Sequence, residues 1–139
     1  MASDINITVT DRGPNKTASS GSKWEPIMGY SRAVRSGNVI AVTGTVGVNA
    51  DGSYAKSMGE QARRSLAIIA KAIEELGGSL DHVIRTRMYV TDVTKWEEVA
   101  RVHGEVFAEI RPATSILEVP RLIDKDAMIE IEADAIVPQ

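Results

Sequence analysis

Ile129-Glu130-Ile131-Glu132-Ala133-Asp134-Ala135 alternates between apolar and acidic side chains without a break. Successive side chains of a strand point to opposite faces. This run therefore places Ile129, Ile131, Ala133 and Ala135 on an apolar face, and Glu130, Glu132 and Asp134 on an acidic one. The expected strand covers residues 127–137. Residues 82–91 form a second strand, rich in β-branched side chains. There Ile84, Thr86, Met88 and Val90 point one way, and Arg85, Arg87 and Tyr89 the other. Residues 113–119 supply a third strand between them.

Helices and a hairpin surround these strands. Ser57-Met58-Gly59-Glu60 reads as a capping box opening a helix. Its apolar stripe is Ala62, Leu66, Ile69, Ile73 and Leu76, and Gly77-Gly78 ends it. Thr94-Lys95-Trp96-Glu97 reads as the cap of a second helix that buries Trp96, Val99, His103, Val106 and Ile110. Arg111-Pro112 stops that helix, because the residue before proline avoids the helical region. Residues 30–36 and 39–46 read as a hairpin turned at Gly37-Asn38.

Residues 1–28 are mostly polar, with a short edge strand around Ile5, Ile7 and Val9 and then a loop marked by Gly13-Pro14-Asn15 and Ser19-Ser20-Gly21-Ser22. Trp24 in that loop either packs down on the domain or lines a pocket. The expected organisation is one domain over residues 29–139, with the segment 1–28 packed on or near it. The fold class is α+β: a mixed sheet with two helices on one face. The uncovered face then carries Arg85, Arg87, Tyr89, Thr114, Glu118, Glu130 and Glu132. It is either solvated or turned into a barrel wall or subunit interface where the charges pair.

Composition narrows the chemistry. The chain has 139 residues, no cysteine and two histidines far apart, His82 and His103. Disulfides, thiolate nucleophiles and Cys-based zinc sites are excluded, and no metal site is expected. A net charge of −3 argues against nucleic acid as a ligand. No apolar run approaches a spanning helix and the N-terminus does not read as a signal peptide, so a cytoplasmic protein is expected. No P-loop, GxGxxG, HExxH or nucleophile elbow occurs. His103 is either a packing or a catalytic histidine. Arg111 and Arg121 are either surface charges or carboxylate clamps. Glu130 and Glu132 are close enough to influence each other's proton affinity.

Arg111-Pro112-Ala113-Thr114-Ser115-Ile116-Leu117-Glu118-Val119, Arg121-Leu122 and Ile129-Glu130-Ile131-Glu132-Ala133 together resemble the C-terminal signature of the reactive-intermediate deaminase (Rid), or YjgF-like, family. Gly37-Asn38 with Val42-Thr43-Gly44, Gln61-Ala62 with Leu66, and Tyr89-Val90-Thr91-Asp92 agree with it. The resemblance spans about residues 29–137. It implies a chorismate-mutase-like fold assembled as a homotrimer, with the sheets joined in a central barrel and small-molecule clefts between subunits. It implies hydrolysis of enamines and imines such as 2-aminoacrylate, with no metal or organic cofactor. Carried over by position, Glu130 guides water, and Thr43 and Tyr30 line the cleft. The family's substrate-binding arginine is replaced by Thr114, which cannot supply a guanidinium fork. Arg87 and Arg111 are the candidate replacements, and Trp24 with Glu25 the candidates for reaching the cleft from the N-terminal segment.

Two functions follow from this resemblance. One is a cofactor-free imine or enamine deaminase with specificity altered from 2-aminoacrylate. The other is a non-catalytic binder of a small metabolite at the same clefts. Ribonuclease activity, attributed to some relatives, is disfavoured by the acidic composition.

Overall fold

The computed structural model describes residues 2–138. Its seven strands are β1 (Thr8–Arg12), β2 (Asn15–Ser19), β3 (Ala33–Ser36), β4 (Val39–Val46), β5 (Val83–Val90), β6 (Ala113–Glu118) and β7 (Ile129–Ile136). They form one mixed sheet in the order β1-β2-β3-β4-β7-β5-β6, in which only β5 and β6 run parallel. Three helices accompany it rather than the two expected: α1 (Trp24–Met28), α2 (Met58–Glu75) and α3 (Trp96–Phe107). The additional helix is a single short turn in the N-terminal segment, closed by Gly29 in the left-handed region at φ 73°.

That segment holds more strand than its composition suggests. Gly13 takes φ 59° ahead of Pro14, whose ring fixes a negative φ, and this two-residue turn joins β1 to β2. Gly37-Asn38 makes a turn of the same kind between β3 and β4, with Gly37 at φ 61°. In both, one leading glycine supplies the only positive φ that the turn needs.

α2 and α3 cover one face of the sheet. The stripe Ala62, Leu66, Ile69 and Ile73 is buried against Ile40, Val42, Ile129, Ile131 and Ala133. Side chains that meet water with 0–3 % of their surface make up most of this contact, so each large one contributes roughly 1.5–3 kcal/mol. The buried polar groups in the layer are paired. Gln61 donates to the Ala55 and Asp126 carbonyls and accepts from the Met128 amide, and Ser65 donates to the Thr45 carbonyl. Ser57 accepts from the Glu60 amide at the start of α2, as its cap residue should. Before α3 the cap is Asp92, not Thr94: its carboxylate accepts from the Thr94 amide and opens a short 3-10 turn. That shift rotates Trp96 outward, and half of its surface is exposed.

The opposite face carries the charges. Arg87 lies between Glu132 (3.4 Å) and Asp134 (3.2 Å), and Tyr89 pairs across the strands with Glu130. Two expected placements on this sheet are corrected. A register shift between Val83 and Arg85 turns Ile84 outward, leaving Thr86, Met88 and Val90 as the inner face. Thr114 and Glu118 do not join the charged face. They lie opposite Thr86 and Val90 in the parallel register and so share the helix-covered side.

Candidate functional site

β4 is interrupted where it pairs with β7, between Val42 and Thr45. Thr43 and Gly44 occupy this bulge. Such irregularities bend a strand and re-aim its neighbours. Gly44 leaves room for the Glu130 carboxylate: a Cβ there would stand 2.6 Å from Glu130 Oε2. Glu130 is half-buried, and among the described residues no hydrogen bond or ion pair engages its carboxylate. Burial raises its proton affinity above the usual carboxylate range, the nearby Glu132 adds to this, and Arg32 opposes it.

Arg32 is the residue that sequence reasoning missed. It is buried just ahead of β3. Its guanidinium donates to Ser20 Oγ (3.1 Å), the Gly44 carbonyl (2.8 Å) and Thr45 Oγ1 (3.3 Å), and faces Glu25 at 3.6 Å. Glu25, also buried, accepts from the Ser20 amide and hydroxyl. This network ties α1 to the bulge beneath Glu130. The one available signal was two opposite charges bracketing a Tyr-Ser pair and a short apolar turn, and sequence spacing alone does not pair them.

The result is a cavity of about 500 Å³ between the N-terminal segment and the sheet. Glu130, Tyr30, Trp24, Arg32, Gly44 and Tyr54 are among its lining residues. Trp24 therefore lines a pocket, with Lys23 Nζ 5.0 Å above its ring. Arg32 lies 5.7 Å over the Tyr30 ring. Tyr54 donates to Asp124 at 2.8 Å. Burial pushes its phenol pKa well up, and the Asp124 hydrogen bond and the charges of Asp124, Asp126 and Glu130 push it further.

The structure brings Glu130, Tyr30 and Trp24 together. Thr43 lies in the bulge, but Gly44 and Thr45, not Thr43, form the cavity wall. Arg87 is on the charged face with its two carboxylates, on the side of the sheet opposite Thr114. Arg111 and Thr114 belong to the far end of the sheet and line no part of this cavity. Arg111 follows α3 with a left-handed φ of 55°, unusual for a non-glycine residue. Thr114 is hydrogen-bonded to Thr86 (2.7 Å), which in turn meets His103 Nε2 at 2.8 Å. Burial lowers the His103 pKa, which favours the neutral ring. His103 also packs against Phe107, with ring centroids 4.6 Å apart and the planes tilted by 42°. Among the described residues no three potential metal ligands cluster, and no helix is long and apolar enough to cross a membrane.

Gly44→Ala tests the bulge. The obstructed atoms are the flexible end of Glu130, so the fold should tolerate the methyl group while the carboxylate moves. Any turnover that depends on Glu130 should fall by about a hundredfold, the usual consequence of ångström-scale misplacement. Thermal melting should stay close to wild type. A large loss of stability with turnover preserved would contradict this arrangement.

Known proteins with this fold and sequence pattern place the chain. Residues 20–137 match the family described as Endoribonuclease L-PSP. The structure of Rv2704 from Mycobacterium tuberculosis, a member of the YjgF/YER057c/UK114 family, superimposes with a TM-score of 0.82 at 43% identity, over 88% of this chain and 99% of that one. Escherichia coli TdcF with bound serine superimposes with a TM-score of 0.73 at 27% identity, over 78% of this chain and 87% of that one. A 2-iminobutanoate/2-iminopropanoate deaminase of Escherichia coli is 33% identical over 111 residues, 77% of this chain and 86% of the relative. The chain belongs to the YjgF/Rid family.

Proposed function

We propose that this protein hydrolyses an imine or enamine metabolite without a cofactor, with a specificity altered from 2-aminoacrylate. The observation that carries the reading is the unengaged, half-buried Glu130 carboxylate facing a cavity walled by Tyr30 and Trp24. Its raised proton affinity moves it towards the operating pH, where a general base is most effective. Water held by Glu130 adds to the carbon of the protonated imine and gives up a proton to the carboxylate. The carbinolamine nitrogen then takes that proton back and leaves as ammonia, and the hydroxyl proton passes to the ammonia, giving the carbonyl product and ammonium. The relative named as an imine deaminase supports the reaction class.

In this reading the domain of residues 29–139 assembles as a chorismate-mutase-like homotrimer in the cytoplasm, and the N-terminal segment walls each cleft from Asp4, Ile5 and Asn6 and from Ser20 to Trp24. Two features support the assembly. The charged face has no helix over it, and every residue of the edge strand β6 is exposed in the lone chain. A neighbouring subunit's edge strand would bring its own Thr114 to the cleft. Arg87 stays with its carboxylates.

Ammonia release from freshly generated 2-aminoacrylate and from a bulkier imine tests the function. The bulkier imine should be turned over faster. Thr114→Arg should raise 2-aminoacrylate turnover by about tenfold or more, since a bidentate guanidinium–carboxylate contact is worth more than one neutral hydrogen bond. Turnover of no imine would leave the protein as a metabolite binder.

A further inference from the structure

The charges around the cavity are unevenly committed. Both guanidiniums in its wall are already held by carboxylates: Arg32 faces Glu25, and Arg64 pairs with Asp4 while donating to the Val48 carbonyl. Lys23 is exposed at the rim over the Trp24 ring. A well-hydrated ammonium in that place is a point charge in water, not a fork aimed inward. The carboxylates are the reverse. Glu130 has no partner among the described residues, and Asp124 has a single phenol on one oxygen, from Tyr54. The open functional groups of the cavity are thus acidic, and its walls are aromatic. Outside the ion pairs two carboxylates face the cavity against one ammonium at the rim, and an excess of one sign of charge in a half-enclosed site concentrates ligands of the other.

Building on the imine-hydrolase reading, we infer that the cleft takes its substrate as a protonated imine that carries no carboxylate, so that the carbon product is an aldehyde or ketone rather than a 2-oxo acid. The reaction is RCH=NH2+ plus water giving RCHO plus NH4+, with charge and atoms conserved and no change of oxidation state. Glu130 faces both the incoming water and the iminium N–H. Asp124 supports the cation from the Tyr54 side. The group R is large: a cavity of about 500 Å³ with Trp24 and Tyr30 in its wall holds an aryl or long alkyl chain, far more than a methyl group. A substrate carboxylate would enter beside Glu130 and Asp124 with both guanidiniums occupied, and like charges brought together in an enclosed site repel.

The test uses two imines that differ only in the carboxylate. Oxidation of 2-phenylethylamine by a flavin amine oxidase supplies phenylacetaldimine in situ, and oxidation of phenylalanine by an amino-acid oxidase supplies the carboxylated counterpart. The full-length protein should accelerate hydrolysis of the first, over the spontaneous rate, by at least about tenfold more than the second. Equal or reversed preference overturns the inference while leaving the hydrolase reading intact. Calorimetric titration separates the two claims. The 2-phenylethylammonium ion should bind at least about tenfold more tightly than 3-phenylpropanoate. Asp124→Asn, which keeps an acceptor for Tyr54 and loses the charge, should reduce that preference several-fold. Tighter binding of 3-phenylpropanoate overturns the inference whatever the kinetics. Preferential binding of the ammonium with neither imine accelerated overturns the hydrolase function and leaves the charge selectivity standing.

Discussion

Glu130→Gln will remove turnover and make the protein more stable at neutral pH. Loss of a positioned general base costs about 10²–10⁴ in rate. The stability gain follows from burial. The folded carboxyl holds its proton above the usual 4.5, because burial and Glu132 disfavour the charged form. Below pH 4.5 the folded and unfolded chains are both protonated at this residue, and its charge costs nothing. As the pH rises from 4.5 to the raised value, the folded chain binds more protons than the unfolded one, so stability falls through that window. Above it the full cost persists. Glutamine has no charge to bury. Thermal melts should therefore show the variant more stable than wild type at pH 7 and level with it at pH 4. An equal gain at both would mean that packing, not ionisation, is responsible. The acid limb of the kcat/KM profile should have its midpoint above 4.5.

The second large effect is expected at Arg32. Arg32→Met leaves Glu25 buried opposite an apolar side chain and strips donors from the Gly44 carbonyl and Thr45. Breaking one side of a buried ion pair costs about 3–5 kcal/mol. For a chain of this size that is a fall in melting temperature of roughly 10 °C or more. Adding Glu25→Gln should recover a substantial part of the loss, since the stranded charge is gone. Urea denaturation of the two single variants and the double variant measures the coupling. Arg32 also holds Glu130 towards its ionised form, so in the double variant the acid limb of the pH profile should move upward. An unmoved profile would separate Arg32 from the chemistry.

Much of the sheet was legible because its patterns are periodic. The alternation through Ile129–Ile136 is the strand observed, and Ala62, Leu66, Ile69 and Ile73 are the buried stripe of α2. The features that escaped are aperiodic. A register shift at Val83/Arg85 displaced Ile84, and the parallel pairing of β6 placed Thr114 beside Thr86. Neither leaves a trace in residue spacing. β2 was concealed by its polar composition, although Ala18 is fully buried. Within the cavity, Glu130, Tyr30 and Trp24 were visible from motif and residue type. The Arg32–Glu25 pair was not, because its meaning depends on a loop folding back over a strand.

The strand Ala113–Glu118 lies at one edge of the sheet. It presents Ile116 and Leu117 along an outer row of the sheet whose backbone amides and carbonyls lack neighbours on one side. Such a row recruits any extended chain that meets it, so newly made copies face a race between correct partnering and clumping. Heterologous expression should therefore yield more usable material at lower temperature and slower synthesis, and a lysine at Leu117 should act as a gatekeeper against precipitation.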